Sequence, residues 1–522
     1  MHAMGCYALG MAPTNPEPQP ARRLVPRLGS DAEFAALRGV LAECGFTPER
    51  ICERLGIAGL REYKLTWRGH TNLLAAEQAL DALILLLMDG EYVAAETLER
   101  VLPPHALANM EALGLVARDP VRQEMWFGGC TIMPTHGMVL ASDRISSPDL
   151  APLPMTADVV YPAAIENTEA FMATLPETPC DALLDIGTGT GIAALDATRY
   201  ARHAWGTDIA ARSVQFAEFN RRLNGIENAT MREGDLYAPV EGLTFDRIVT
   251  HPPYVPARKN TMIFRDGGED GEQILRRIVE GVPRFLRPGG RFCTMVTAAD
   301  CEGQPFEDRL RLWLGADQAE FDLVLAAHTL TGPKDLAANS FLGQNTLTED
   351  ILYRHEIWTR RKVQFLFHGS VLIRRHEAAR PAFTARVLKG EGFTARHVEW
   401  LLRWNTEIRD PASIETMLEF RPRLSPHAEM GVLHRVREGQ LVPEVFSLRC
   451  NRPFEAECML QPWLAQIVSR CGGQTTWREH MENARSEGII SAETTAAESL
   501  EVLEPLVSNG LLHIEEWPFP QA

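Results

Sequence analysis

Paired cysteines are missing from this sequence: none of the ten in the 522-residue chain stands in a Cys-x-x-Cys spacing. Zinc held by thiolates needs that spacing, and a disulfide scaffold needs a shorter, cysteine-denser chain. The cysteines therefore read as thiols in a reducing cytosol, and no metal site is expected. Long apolar runs are missing too. The longest, around Leu83–Met88, falls far short of the roughly 20 residues that cross a bilayer. A net positive charge is also absent: the formal charge is −17, which excludes broad attraction to nucleic acid or anionic membranes but not a local basic patch. The N-terminal residues are Pro-rich and lack a basic-then-apolar leader. A flexible tail over 1–30 is expected, on a cytoplasmic protein with no membrane partner.

What is present is ordinary globular material, with 45% hydrophobic and 23% charged residues. The length predicts about two to four domains. Residues 31–145 read as helical. "DAEFAALRGVLAECGF" carries helical spacing, "TPERICERLG" opens with a Thr cap and a first-turn Pro, and "NLLAAEQALDALILLLMDG" is a buried helix ending at Gly90. Two short helices and the extended "EMWFGGCTIMP" complete a winged-helix-like module. Its third helix carries Glu111 and no Arg or Lys cluster, which favours docking or packing over DNA reading.

The Pro-rich "SSPDLAPLPM", Ser146–Met155, reads as a linker. From about 150 to 378 the pattern changes to short apolar runs ("ALLDIG", "AWGTDIA", "FDRIVTH", "GRFCTMV", "FDLVLAAH") alternating with helical stretches such as "GIAALDATRYAR" and "QILRRIVEGVPRFL". That alternation predicts a doubly wound α/β fold with a parallel sheet. "VQFLFHGSVLIRRHE" would supply its last strand before a break near Arg380-Pro381. Residues 379–522 would form a C-terminal α+β domain without an assigned role.

The most informative stretch is "THPPYVP", Thr250–Pro256. Two consecutive prolines cannot continue a strand or a helix. They fix the backbone so that its carbonyl oxygens point into a pocket, beside an imidazole and a phenol, as a site holding one flat group requires. Upstream, Asp185 is followed by Gly187-Thr188-Gly189-Thr190-Gly191, a turn that lets a ligand approach a helix N-terminus. Asp208 ends the next strand, where a carboxylate accepts from ribose hydroxyls, and Asp235 follows the third, where it can accept from an adenine amine. The glycines and Asp208 alone fit a nicotinamide dinucleotide equally well. The clamp decides against that cofactor, because hydride transfer has no use for it. Accepting hydrogen bonds from a planar nitrogen frees its lone pair for attack on a sulfonium methyl group, so positioning and electrostatics carry the chemistry.

In that order and spacing, "LLDIGTGTGIAAL", "WGTDI", "EGDLYAPV" and "HPPYVP" resemble the class I S-adenosylmethionine-dependent methyltransferases, near the branch acting on planar nitrogens. "DVVYPAAIENTEAF" and "RDGGEDGEQILRRI" resemble the covering segment and the Asp/Gly-rich segment of the HemK-like release-factor glutamine N5-methyltransferases and their small-domain relatives. The resemblance spans Asp158–Glu377 specifically and Asp31–Pro134 loosely. It implies a Rossmann-like, seven-stranded sheet and S-adenosylmethionine as cofactor. Asp185, Gly187, Thr188, Gly189, Gly191, Asp208, Ile209, Asp235, Leu236 and His251 would hold that cofactor. His251, Pro252, Pro253 and Tyr254 would grip the acceptor.

One residue departs from the family: His251 stands where Asn or Asp is usual. A neutral imidazole accepts one hydrogen bond and a protonated one accepts none; it can also act as a general base. The favoured acceptor is a protein side chain, by resemblance a glutamine. Adenine in RNA, a small metabolite, and a scaffold that binds cofactor without catalysis stay open. His355-Glu356 is no zinc-protease motif, since Thr359 occupies the second ligand position. His136 and His368 read as surface or core residues. Arg360-Arg361-Lys362 reads as a solvated face that can also meet RNA or an acidic partner.

Overall fold

The computed structural model describes residues 23–63, 76–145, 153, 155–259, 261–333 and 348–520. The expected tail lies outside them up to residue 22. So does the expected linker, apart from residues 153 and 155, and so does the start of the long helix, 72–75.

The N-terminal helices begin where their caps predict. Ser30 and Glu33 form a capping box for Asp31–Glu43, and Thr47 caps Pro48–Leu55. The buried helix runs as an α-helix over Ala79–Leu83, widens into a π turn over Ile84–Asp89 and ends at Gly90. The turn's loosened carbonyls are satisfied by buried Arg144, which donates to those of Leu86, Leu87 and Met88. Helices Ala95–Val101 and Ala106–Ala112 follow. Three short strands form a sheet with Met125–Gly128 between Val93–Ala94 and Val116–Arg118. A hairpin, Cys130–Thr135 with Met138–Asp143, completes this region.

Among the described residues the large sheet has eleven strands, not the seven expected. They are labelled here in chain order: β1 Cys180–Ile186, β2 Ala201–Asp208, β3 Ala229–Glu233, β4 Phe245–Thr250, β5 Leu286–Cys301, β6 Phe321–Thr331, β7 Val363–Arg375, β8 Thr384–Lys389, β9 Glu429–Arg437, β10 Gln440–Cys450 and β11 Phe454–Leu460. The spatial order is β3-β2-β1-β4-β5-β7-β6-β8-β11-β10-β9. β1 to β5 run parallel to one another, and β7 runs antiparallel to both β5 and β6. Apolar runs such as "ALLDI" suit these strands because both faces are covered. Leu184 and Ile248 pack on one side with helix Gln273–Phe285. Leu183 and Val249 pack on the other with helix Ile192–Ala197.

Two expected boundaries are corrected. The helix after the glycine turn stops at Ala197, because Tyr200 accepts from Cys180 N–H and Ala201 is already in β2. The sheet also does not end before Arg380-Pro381. β8 pairs in parallel with β6, and helices Ala395–Glu407 and Ala496–Ser508 share a core with Leu183, Val249 and Leu372. Residues 379–520 are thus built onto the same sheet rather than beside it.

Helix Ala211–Leu223, which follows β2, joins the N-terminal region to the sheet. Its Phe216, Phe219 and Leu223 are buried in the N-terminal core. Its Asn220 bonds both the N–H and the carbonyl of Ala141 in the hairpin and donates to the Thr190 carbonyl of the glycine turn.

Candidate active site

β1, β2 and β4 end level with one another: Ile186 pairs with Thr207 on one side and Thr250 on the other, and β3 ends level with Asp208. The predicted stretches leave the sheet together along this carboxyl edge, which is where open α/β sheets form their crevice.

The three glycines of the first turn do different things. Gly187, Gly189 and Gly191 all have positive φ, at 73°, 55° and 85°, a region that favours glycine. A Cβ on Gly187 or Gly189 would meet nothing within 4 Å, whereas one on Gly191 would lie 3.1 Å from Ala217 Cβ. The first two open on the crevice; the third packs the following helix. Asp185 does not face the crevice. Its carboxylate takes the Thr188 hydroxyl at 2.6 Å and Ala194 N–H at 3.3 Å, fixing the turn. Burial pushes its pKa up to about 7.

Asp208 closes the crevice from β2. It accepts from Gly189 N–H at 3.0 Å and Ala210 N–H at 2.9 Å, and burial raises its pKa. Beside it Ile209 is 56% exposed, an apolar face at the crevice rim. Asp235 is half exposed and pairs with Arg277 at 2.5 Å. Leu236 adopts a φ of 50°, and its carbonyl takes the Thr207 hydroxyl at 3.0 Å. An open glycine backbone, a carboxylate and an apolar face are what a nucleoside with an aminoacyl tail requires.

The clamp follows β4, whose Thr250 donates to the Ile186 carbonyl at 2.8 Å. Pro252 is buried, and His251, Pro253 and Tyr254 are half-buried. The Asp/Gly-rich segment braces it from behind. A Cβ on Gly267 would lie 2.7 Å from the Pro253 carbonyl oxygen, and one on Gly271 would lie 2.5 Å from that of Tyr254. Gly267 N–H donates to the Val255 carbonyl and Val255 N–H to that of Arg265. These glycines therefore let two backbones touch. The carbonyls of Pro253 and Tyr254 face the brace, which corrects the expectation that the clamp's carbonyls point into the pocket.

His251 stacks on Phe171, with ring centroids 5.1 Å apart and planes 23° from parallel. Its Nε2 is buried with no hydrogen-bond partner among the described residues. Burial, assisted by the nearby His368, lowers its pKa to about 4, so the ring is neutral at physiological pH. Tyr254 lies 6.0 Å from His251 and 6.4 Å from His368, ring to ring. The segment before β1 also meets the segment after the clamp: Tyr161 stacks on Phe264 at 5.0 Å, and Ile263 N–H donates to the Ala157 carbonyl.

Several contributors were not legible as such. Phe171 sits in the covering segment, but no spacing marks it as the ring that meets His251. His368, read as surface or core, bonds Thr297 through Nδ1 at 2.9 Å and lies edge-on to Tyr254. His136 pairs with Glu169 at 3.3 Å. The basic run is not a free face: Arg360 bonds Glu269, Lys362 bonds Glu302, and Arg361 reaches buried Glu272 at 3.1 Å.

The methyltransferase small domain family matches residues 165–311. The chain is 31% identical over 172 residues to the release factor glutamine methyltransferase of Moorella thermoacetica, covering 29% of this chain and 60% of that one. It is 31% identical over 157 residues to the ribosomal protein uL3 glutamine methyltransferase of Bradyrhizobium diazoefficiens, covering 27% and 49%. It is 30% identical over 265 residues to the release factor glutamine methyltransferase of Cereibacter sphaeroides, covering 47% and 82%. The chain thus spans between half and four-fifths of the lengths of these relatives. Among the described residues no helix is long and apolar enough to cross a membrane, and no group of three potential ligands is placed to hold a metal ion.

Proposed function

This chain belongs to the class I S-adenosylmethionine-dependent methyltransferases of the small-domain group, and we propose that it methylates a planar nitrogen of a protein side chain, a glutamine amide. The observation that carries this reading is the neutral, stacked imidazole of His251, with an unpartnered Nε2, on a proline-fixed turn. The names of the relatives, two release-factor enzymes and one ribosomal-protein enzyme, support glutamine as the acceptor.

The residues present fit the cofactor. Gly187 and Gly189 would leave room for the methionine portion, Asp208 would accept from the ribose, and Ile209 would cover one adenine face. Asp235 keeps half its surface for the adenine amine while Arg277 holds it in place. Bound there, S-adenosylmethionine supplies an electrophilic methyl group. The chain's own residues prepare the acceptor. With the Pro253 and Tyr254 carbonyls lying against the glycine brace, the His251 ring and the Pro252 carbonyl would be the groups that accept from the amide N–H groups. Those two bonds pull the nitrogen out of conjugation and aim its lone pair at the methyl group. Tyr254 offers a flat face to the amide. The Tyr161–Phe264 stack ties the covering segment to the segment after the clamp. The region 31–145 is assigned as a winged-helix-like module that braces the glycine turn through Asn220.

The test is methyl transfer from labelled cofactor into cell extract, split by protease and ribonuclease and followed by mass analysis of tryptic peptides. A methylated glutamine supports the reading. Label only in RNA would replace it with adenine chemistry, label only in small molecules with a metabolite, and no label anywhere with a cofactor-binding scaffold.

A further inference from the structure

Among the described residues the sheet ends on β9, an edge strand whose nine residues are all exposed. Its sequence "EMGVLHRVR" alternates as a strand does. Met430, Val432, His434 and Val436 share one face; Glu429, Leu433, Arg435 and Arg437 share the other. The register with β10 continues the first face over Leu441, Pro443 and Phe446 and into the buried core at Leu448. A half-buried strand is thus written into a segment with an open face and an open edge. Leu433 is 60% exposed and Val436 67%. β9 contains neither the proline nor the lysine that commonly guards such an edge.

We propose that a second copy of the chain occupies this edge, pairing antiparallel along β9 about a two-fold axis at Leu433. In that register Glu429 of each copy lies opposite Arg437 of the other, Met430 opposite Val436, and Val432 opposite His434. Gly431, with no side chain, lies opposite Arg435. Within one hairpin Glu429 already bonds Arg449 at 2.8 Å, and Arg437 bonds Glu444 at 3.0 Å. Pairing joins these into chains of ion pairs running Arg449, Glu429, Arg437, Glu444, alternating in sign and made twice by symmetry. Glu444 lies at the register shift of the hairpin and is shared with Arg435, so Arg437 reaches it diagonally past its register partner Gln440. Centring the axis one residue later, on His434, would leave Glu429 with no opposite residue in the strand and set Arg435 against Leu433. The chemistry of the edge is therefore complementary to itself, which an unrelated peptide would not require.

Sedimentation velocity on the full chain across a concentration series tests this. The expected result is a reversible dimer. Glu429→Arg and Arg437→Glu should each weaken it about tenfold or more, because each sets like charges opposite twice. Mixing the two variants should restore association, since both rows of the mixed pair are again opposite in sign. Leu433→Lys, which sets two charges against each other on the axis, should also give monomers. All three positions are exposed and the two ion pairs lost lie at the surface, so thermal melting of each variant should stay close to wild type. A wild-type monomer at every concentration, a dimer indifferent to these changes, a mixture no better than its separate variants, or an edge filled only by another protein's strand would each overturn the proposal.

Discussion

Phe171 and His251 stack with planes 23° from parallel, so a residue from the segment before β1 covers the first residue of the clamp after β4. The stack keeps water from one face of the imidazole, and burial is the larger cause of its low pKa. Phe171→Ala should therefore raise the His251 pKa from about 4 toward the ordinary ~6.5, readable by NMR titration of the ring. Turnover near pH 6 should fall with it, because a protonated ring accepts no hydrogen bond. A pKa that stays near its wild-type value would show that the remaining neighbours alone desolvate the ring.

Removing the imidazole tests the clamp directly. His251→Ala should cut methyl transfer by about 10²-fold or more, the scale for losing one aligned polar group at a reacting centre. Cofactor affinity by calorimetry should change little, since the open glycines and Asp208 are untouched. His251→Asn supplies an amide oxygen, the acceptor usual in the family, and should keep activity or raise it. Wild-type turnover in His251→Ala would remove the ring from the chemistry.

Much of this site was legible in the sequence, because it is local along the chain. A glycine turn after a strand, carboxylates at the ends of consecutive strands and two prolines after a fourth each occupy a few contiguous residues. What was not legible depends on contacts between distant segments. Asp185 reads like a ligand-facing carboxylate, yet Thr188 and Ala194 turn it inward. Gly191 reads like its two neighbours, but helix Ala211–Leu223 occupies the space above it. The direction of the Pro253 and Tyr254 carbonyls depends on Gly267 and Gly271 approaching from behind. The strands beyond Arg380 were obscured differently. An Arg-Pro pair marks a break in local structure, but β8 resumes beside β6 because sheet pairing is not a local property.

Asp185 gives the fold a pH dependence of predictable sign. Its folded pKa of about 7 lies above the ordinary carboxylate value, so between the two the folded state holds more protons than the unfolded. Its contribution is full below about pH 4 and declines as pH rises, by at most about 1.4 kcal/mol per unit, levelling above 7. His251 and His328, with pKa values lowered to about 4, act oppositely: between there and ~6.5 they make stability rise with pH. Asp185→Asn isolates the carboxyl from this background. In denaturant titrations from pH 4 to 8, the stability of wild type minus that of the variant should fall with pH. A difference that stays flat would mean the carboxyl is solvated and ionised throughout.

The clamp's brace has its own anchor, and two substitutions at neighbouring ion pairs, one buried and one exposed, should separate it from the surface. Glu272 follows Gly271, the glycine against the Tyr254 carbonyl, and its side chain is only 4% exposed. It takes Arg309 at 2.9 Å, Arg361 at 3.1 Å and Ala299 N–H at 3.0 Å. Glu272→Gln leaves two guanidinium groups facing each other without their counter-charge, which costs about 3–5 kcal/mol for a buried pair. The loosened loop should also let the Tyr254 backbone shift, and a displacement of about 1 Å at a reacting centre lowers turnover on the order of 100-fold. Arg360→Gln breaks only the exposed pair with Glu269, worth about 1 kcal/mol or less, and should leave turnover near wild type. Urea unfolding and kcat measured on both variants decide the matter. Equal effects in the two would mean that Glu272 holds no more of the clamp than a surface ion pair does, and the rigidity of the acceptor site would then have to come from its two prolines alone.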